Sequence, residues 1–170
     1  MTVSELSWRI CKLEDCVEKL IDYRGKSPKK SEGGIPVLSA KVVKKGRILT
    51  PIIQTISPDY YSEWMRRGIP KLGDVVLTTE GPLGEVAQID EKTYALGQRI
   101  VTLRGAPDRL DHPFLKFLLM SPGVQSELYA RATGTTVLGI SQKSLRKVPL
   151  RLPPYDEQIA IASVLGALDD

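Results

Sequence analysis

The sequence contains few of the residues that form metal sites and nucleophilic active sites. Among its 170 residues there are one histidine, His112, and two cysteines, Cys11 and Cys16. A single histidine argues against histidine-based metal sites and Ser/His catalysis, and we expect His112 at the surface in the first turn of a helix. The spacing of the two cysteines fits no zinc or redox motif, so we expect two reduced thiols with a structural role.

The sequence also lacks a long apolar run. The apolar stretch at 114–120 is far shorter than the roughly 18 to 20 residues that cross a bilayer. Met1 is followed by polar residues rather than by the apolar core of a signal peptide. Hydrophobic residues make up 42% of the chain and charged residues 26%, as in soluble globular domains. We therefore expect a cytoplasmic protein with one domain of ordinary size.

Acidic residues are scarce between Arg24 and Arg47. This segment contains eight basic residues and one acidic residue, Glu32, so its charge is +7, whereas the net charge of the whole chain is +4. Lysine and arginine side chains that neutralise phosphates release condensed counterions, which makes the segment a candidate phosphate-binding surface. A solvated loop that keeps the protein soluble would have the same composition. The charge alone leaves both interpretations open.

Hydrophobic periodicity predicts both strands and helices. Runs of β-branched residues bounded by glycine or charge predict strands at 35–43, 73–79, 84–89 and 99–103. Capping residues and prolines predict helices that begin at Ser57–Pro58, at Asp111–Pro113 and at Pro122. The first of these helices is expected to end at Gly68 and the last at Gly134. Strands and helices follow one another without a regular βαβ alternation, which favours the α+β class.

The segment from Tyr155 to Asp170 predicts an amphipathic helix. Acidic residues lie in its first turn, where they suit the helix dipole. Its apolar residues form a stripe at helical spacing: Ile161, Val164, Leu165 and Leu168. No capping residue ends the helix at Asp170, so we expect it to continue along a partner helix. The alternative is a terminal helix that packs on its own domain.

Two short motifs raise catalytic hypotheses. The "LPPY" motif at 152–155 resembles the Asn/Asp-Pro-Pro-Tyr motif of adenine methyltransferases, but Leu152 cannot accept a hydrogen bond from the target amino group. A rigid exit from a strand explains the two prolines better. Asp74, Asp90 and Lys92 imitate a magnesium-binding nuclease motif, although the segment 89–94 also fits a charged turn between strands. Neither a P-loop nor a dinucleotide-binding glycine pattern occurs. A small magnesium-dependent nuclease stays an alternative.

Several segments together resemble the target recognition domain of a type I restriction-modification specificity subunit. They include "GGIPVLSAKVVKKGRI", "GDVVLTTEGPLGEVAQI", "ALGQRIVTLR" and the segment 114–154. The most specific part is the segment 132–158, which contains a Gly-Thr-Thr loop, a basic short helix, a strand that ends in two prolines, and "EQ" at a helix start. This order of elements resembles the one by which recognition domains of that family lead into the helical spacer.

The resemblance implies an α+β fold with a mixed sheet, in which residues 1–154 form the recognition domain and residues 155–170 begin a spacer or dimerisation helix. It implies a non-catalytic subunit that reads one half of a bipartite double-stranded DNA site. Methyltransferase and restriction/translocase subunits would then methylate adenine and cleave, and would bind S-adenosylmethionine, ATP and magnesium, with no cofactor on this chain. The chain is either a fragment or a half-sized subunit that pairs with a second copy. A helix-mediated adaptor that does not read DNA is the other alternative.

Recognition requires phosphate contacts, which position the protein, and base contacts, which specify the sequence. The candidates for phosphate contacts are Lys26, Lys29, Lys30, Lys41, Lys44, Lys45, Arg47, Lys143, Arg146 and Lys147. The candidates for base contacts carry donors, acceptors or methyl groups suited to base edges, and they are Glu80, Gln98, Arg99, Thr133, Thr135, Thr136 and Gln142. We expect fewer than half of this second group to contact a base, since such side chains also cap helices and bridge strands.

Overall fold

A four-stranded antiparallel sheet organises the fold. The computed structural model describes residues 7–169. The order of the strands is β2 (Val17–Asp22), β10 (Ile100–Gly105), β7 (Val75–Thr79) and β8 (Leu83–Gln88). Every residue of β7 and β10 is buried, so both faces of the sheet are covered. Along β7 the side chains alternate: Val75 and Leu77 belong to one hydrophobic cluster, and Val76 to a second cluster on the opposite face.

A smaller mixed sheet covers the face that carries Val76. Its strands are β6 (Thr55–Ile56), β3 (Ile35–Leu38) and β9 (Ala95–Leu96), of which β3 and β9 are parallel. Helix α2 (Pro58–Trp64) continues into a 3-10 turn at Met65–Arg67, and the side chain of Ser57 caps its start. Trp64 anchors this helix, because its ring is buried and its Nε1 donates to the Leu96 carbonyl at 2.9 Å.

Helices cover the opposite face, on which Val75 and Leu77 lie. They are α3 (His112–Met120), α4 (Pro122–Ala130), α5 (Gln142–Arg146) and α6 (Tyr155–Asp169). The side chains of Asp111, Ser121 and Ser141 accept hydrogen bonds from the first turns of α3, α4 and α5. These caps explain why three helices begin where they do.

The first and last strands join the start of the described chain to its final helix. Strand β1 (Arg9–Lys12) pairs antiparallel with β11 (Pro149–Leu152), and a short helix, α1 (Leu13–Cys16), connects β1 to β2. Two prolines separate β11 from α6. Gln158 of α6 is buried; its Oε1 accepts from the Asp111 N–H at 3.0 Å, and its Nε2 donates to the carbonyls of Arg109 and Pro153 at 2.9 and 3.0 Å. One side chain thus fixes the base of α6 to the domain.

The structure confirms the α+β class with mixed sheets, the predicted helix starts and the strands predicted at 73–79, 84–89 and 99–103. The strand predicted at 35–43 is interrupted: β3 ends at Leu38, and the chain then turns, with the Val42 N–H donating to the Ser39 carbonyl at 3.1 Å. Helix α4 ends at Ala130, earlier than the predicted stop at Gly134. No helix within residues 7–169 is long and apolar enough to cross a membrane.

Two expectations about single residues are wrong. Cys11 and Cys16 form a disulfide, because α1 folds the chain back after β1 and brings their Cα atoms within 6.8 Å. His112 lies in the first turn of α3 as expected, but its ring is half-buried rather than at the surface. The end of β10 passes beside that turn, and the His112 Nε2 accepts a hydrogen bond from the Gly105 N–H at 3.0 Å.

Candidate nucleic-acid interface

Three segments that are distant in sequence meet at one edge of the central sheet. Glu80 directly follows β7, Arg99 directly precedes β10, and the loop 133–139 lies between α4 and α5. Gly139 forms β-bridges with Glu80 and with Thr133. We call this edge, made of Glu80, Gly81, Arg99 and the loop 133–139, the rim. It brings together five of the base-reading candidates: Glu80, Arg99, Thr133, Thr135 and Thr136.

Arg99 has an unusual backbone conformation within the rim. Its φ of 64° lies in the left-handed region, which residues other than glycine seldom adopt. The Arg99 carbonyl accepts a hydrogen bond from the Thr79 N–H at 2.8 Å. Its Nε lies 3.9 Å from the Glu80 Oε1, and the two side chains are 57% and 47% exposed. The rim therefore presents one cation and one anion to solvent at the end of the sheet.

Two grooves border the rim. One, of about 380 Å³, is lined by Arg24, Glu80, Thr133 and Ser141 among others. The second, of about 350 Å³, contains two phosphate-binding candidates and two base-reading candidates, which are Lys30, Lys41, Gln98 and Arg99. Phosphate and base candidates therefore share the second groove, and the Glu80–Arg99 pair joins the two grooves, since Glu80 lines the first and Arg99 the second.

The two glutamines predicted to read bases bond to their own chain. The Gln98 Nε2 donates to the Ser27 Oγ at 2.6 Å. The Gln142 Nε2 donates to the Asp22 Oδ2 at 3.2 Å, and its Oε1 accepts from the Arg146 Nε at 2.9 Å. A base contact by either glutamine would require exchange of these hydrogen bonds.

The structure divides the basic segment into two parts. Lys26, Lys29, Lys30 and Lys41 are exposed, and the last two border the rim. The hairpin of β4 (Val43–Lys44) and β5 (Arg47–Ile48) lies instead along β8, where the Gly46 N–H donates to the Val86 carbonyl at 2.8 Å.

Within this hairpin, Lys44, Lys45 and Arg47 are exposed, but two of the three residues also bond to the chain itself. The Lys45 N–H donates to the Glu85 carboxylate at 2.7 Å, and Arg47 donates to the Asp169 carbonyl at 3.1 Å. The remaining basic candidates lie on or just after α5, where Lys143 and Lys147 are exposed and Arg146 is half-buried.

The three residues of the nuclease hypothesis have other roles in the fold. Asp74 is fully buried, and its carboxylate accepts from Arg104 at 2.8 and 2.7 Å. Asp90 lies in a turn, where its carboxylate accepts from the Lys92 N–H and from the Tyr94 hydroxyl. Burial and this hydrogen bond raise the pKa of Tyr94 to about 12. Among residues 7–169, no three His, Cys, Asp or Glu side chains are grouped so that they could hold a metal ion.

The apolar stripe of α6 is divided between the domain and solvent. Ile161 is half-buried against the hydrophobic cluster that contains Val75 and Leu77, whereas Val164 and Leu168 are 62% and 78% exposed. Leu165, 36% exposed, borders an apolar groove of about 500 Å³ that also includes Trp8 and Phe117. Part of the predicted partner surface thus faces outward.

Two residues of the grooves were not predicted from the sequence. Ser27 and Gln54 line the groove with Lys30, and single polar residues in loops carry no periodic signal. Arg24 belongs to the predicted basic segment, but its position in the other groove, where its Nη1 donates to the Ile140 carbonyl at 2.9 Å, depends on contacts between distant segments.

Comparisons with known proteins agree with this architecture. Residues 5–170 match the type I restriction modification DNA specificity domain family. The type I restriction enzyme MjaVIII specificity subunit of Methanocaldococcus jannaschii is 28% identical over 170 residues, and the match covers 96% of this chain but 40% of that protein. The chain therefore spans about two fifths of the length of this relative.

Two solved structures have the same fold. The crystal structure of a type I restriction-modification S subunit from M. genitalium has a TM-score of 0.60 at 20% identity, covering 95% of this chain and 39% of the other. The HsdS subunit from Thermoanaerobacter tengcongensis has a TM-score of 0.66 at 21% identity, with coverage of 96% and 37%. The match over nearly the whole sequence and the shared fold agree with the resemblance seen in its motifs, and the chain belongs to the family of type I restriction modification DNA specificity domains.

Proposed function

We propose that this chain is the DNA-reading part of a type I restriction-modification specificity subunit and recognises one half of a bipartite double-stranded site. The observation that carries this proposal is the rim, which brings Glu80, Arg99 and Thr133 to one edge of the sheet, and where Arg99 lines a groove together with Lys30 and Lys41. Lysines hold phosphates without reading sequence, whereas arginine, glutamate and threonine can read base edges. One surface therefore combines the two kinds of contact that sequence-specific binding requires.

The remaining parts of the proposal follow from family membership. Residues 1–154 form the recognition domain, and residues 155–170 begin the spacer helix. The chain acts in the cytoplasm and contributes recognition without catalysis. Methyltransferase and restriction/translocase subunits bind S-adenosylmethionine, ATP and magnesium and modify or cleave DNA. A second recognition domain, in a second copy or elsewhere in a longer subunit, reads the other half of the site.

The test is DNA binding by the complex that this chain forms with its methyltransferase subunits, purified from native cells. Selection from duplexes with randomised positions identifies the preferred site, and fluorescence anisotropy at several salt concentrations gives the affinity. Each phosphate contact contributes about 0.9 to the slope of log affinity against log salt. Replacing Lys30 and Lys41 with glutamine should therefore flatten the slope by about 2 units, and replacing Lys44, Lys45 and Arg47 by about 2 to 3 units.

The outcomes of this experiment separate the alternatives. Affinity should fall by similar factors on preferred and scrambled duplexes, because phosphate contacts carry no sequence information. If only the Lys30 and Lys41 variant changes the slope, the phosphate surface is confined to the rim side of the basic segment. If neither variant changes it, the segment is a solvated loop. A complex that assembles but ignores DNA would support the adaptor function instead.

The partner surface of α6 has its own test. Because Val164, Leu165 and Leu168 face outward, Leu165→Asp should abolish association with the methyltransferase subunit or a second copy while the domain stays folded. Ile159→Asp is the matched control. Gln158 and Ala162 mark the buried side of α6, and Ile159, which is 45% exposed, lies on the other side of them from the apolar stripe. Light scattering measures assembly, and an unchanged mass for the Leu165→Asp variant would contradict the proposal.

A further inference from the structure

We propose that Arg99 reads a guanine in the DNA major groove and that Glu80 positions its guanidinium for this contact. The inference rests on the proposed function and adds to it the residue and the base that carry part of its specificity. It follows from the backbone of Arg99, from the partners of its side chain, and from its place between the two grooves.

The fold does not need an arginine at position 99. The side chain is 57% exposed, so it contributes little to the core. The left-handed φ of 64° is the conformation that glycine adopts without strain, whereas a residue with a Cβ adopts it at a cost. Strained residues of this kind persist where the surrounding structure holds them, and they concentrate at functional sites. We therefore infer that the Arg99 side chain serves binding and does not stabilise the fold.

The guanidinium of Arg99 has one weak partner. Within residues 7–169, its only ion pair or hydrogen bond is the 3.9 Å contact between its Nε and the Glu80 Oε1. An exposed ion pair of this kind contributes little to stability. Glu80 restricts where the long side chain can lie, and both terminal nitrogens stay available to a ligand.

Gly81 keeps the space over the turn open for this side chain. A Cβ placed on Gly81 would lie 3.1 Å from the Arg99 Nη1, closer than most real Cβ contacts. The guanidinium thus lies over the turn at the end of β7. It borders the groove of Lys30 and Lys41, which are suited to the adjacent phosphates.

The chemistry of the rim favours guanine. A guanidinium donates two parallel hydrogen bonds to the O6 and N7 acceptors of guanine, the commonest specific contact in the major groove. The two glutamines that could read adenine already bond to Ser27, Asp22 and Arg146, as described above. Arg99 is therefore the base-reading candidate that can exchange a weak contact for a strong one.

The experiment is selection from randomised duplexes by the native complex, followed by affinity measurements for variants. Arg99→Gly removes the guanidinium and suits the left-handed backbone, so the domain should unfold at the same temperature or higher. It should lose the preference for guanine at one position and keep every other preference. Affinity for the enriched duplex should fall about tenfold or more, the size of one bidentate base contact, with little change on scrambled duplexes.

Three further variants sharpen the result. Arg99→Ala repeats the loss of the side chain on an unchanged backbone conformation. Glu80→Gln should keep guanine at the position but weaken the preference, because the carboxylate that positions the guanidinium is gone. Lys41→Gln, the control, should weaken binding to enriched and scrambled duplexes by equal factors.

The outcomes distinguish this inference from the proposed function. An Arg99→Gly complex that enriches the wild-type motif, or that loses affinity equally for all duplexes, overturns the guanine contact and leaves the DNA-binding function intact. A wild-type complex that enriches no motif overturns both.

Discussion

Two pairs of opposite charges lie at the two ends of the same pair of strands. Strands β7 and β10 are antiparallel neighbours. At one end Asp74 precedes β7 and Arg104 lies near the end of β10; at the other end Glu80 follows β7 and Arg99 precedes β10. The first pair is buried, with two hydrogen bonds of 2.8 and 2.7 Å, whereas the second is exposed, with its closest atoms 3.9 Å apart.

The difference shows how burial determines the use of an ion pair. The Asp74 carboxylate also accepts from the Lys71 N–H at 2.8 Å, and Arg104 also donates to the Ile69 carbonyl at 3.2 Å. The hydrogen bonds to Asp74 raise the pKa of the Arg104 guanidinium. Both carboxylate oxygens of Asp74 and the Nε and Nη2 of Arg104 are thus committed to the fold. The exposed pair has the same chemistry but is free to exchange partners, and it lies in the candidate DNA surface.

The largest expected effect is the loss of the buried pair. Arg104→Ala should lower the free energy of unfolding by about 3 to 5 kcal/mol, because it leaves the Asp74 carboxylate buried without its partner. Arg99→Ala at the other end should change it by less than about 1 kcal/mol, as expected for an exposed pair. Urea unfolding followed by the fluorescence of Trp8 and Trp64 measures both. Equal losses for the two variants would remove the distinction between the two ends.

Local chemistry allowed much of the fold to be predicted from the sequence. Ser57, Asp111 and Ser121 are capping residues, and each accepts a hydrogen bond from the first turn of the helix that it begins. The β-branched runs of β7 and β10 are fully buried strands. Strand β2 was not predicted, because Glu18, Lys19 and Asp22 interrupt its apolar pattern and it lies at the edge of the sheet.

The candidate site was predictable in composition but not in arrangement. Side-chain chemistry selected Glu80, Arg99 and Thr133, yet their proximity arises from strand pairing and bridges between segments far apart in sequence. The charge of the segment 24–47 was visible, but its division depends on the docking of the β4–β5 hairpin on β8. The disulfide between Cys11 and Cys16 likewise depends on the path of α1, which no spacing rule encodes.

An uncharged buried group extends the comparison and should give an intermediate effect. Gln158→Leu removes three hydrogen bonds and leaves the Asp111 N–H and the carbonyls of Arg109 and Pro153 without their partner. We expect a loss of about 1 to 3 kcal/mol in the free energy of unfolding. Amide hydrogen exchange in the first turns of α6 should also accelerate, since Gln158 fixes the base of this helix.

The control for Gln158 is the half-buried Gln142. Gln142→Leu also removes side-chain hydrogen bonds, but near the surface, where water replaces them. Its effect should stay within about 0.5 kcal/mol. If Gln142→Leu were as costly as Gln158→Leu, burial would not be the property that separates structural from exchangeable polar contacts.

The smallest expected effect tests the backbone of the exposed pair. Arg99→Gly and Arg99→Ala both remove the contact with Glu80, so the difference between them isolates the left-handed φ of 64°. The glycine variant should be more stable than the alanine variant by about 1 kcal/mol, because only alanine has a Cβ that opposes this conformation.

The control pair, Gln98→Gly and Gln98→Ala, should show the opposite sign. Gln98 is not among the residues with positive φ, and glycine at an ordinary φ loses about 0.5 to 1 kcal/mol to the entropy of the unfolded chain. Urea unfolding of the four variants gives both differences. A glycine variant at position 99 that is less stable than the alanine variant would show that the exposed end of the strand pair stores no strain, and the argument that Arg99 is kept for recognition would lose its backbone support.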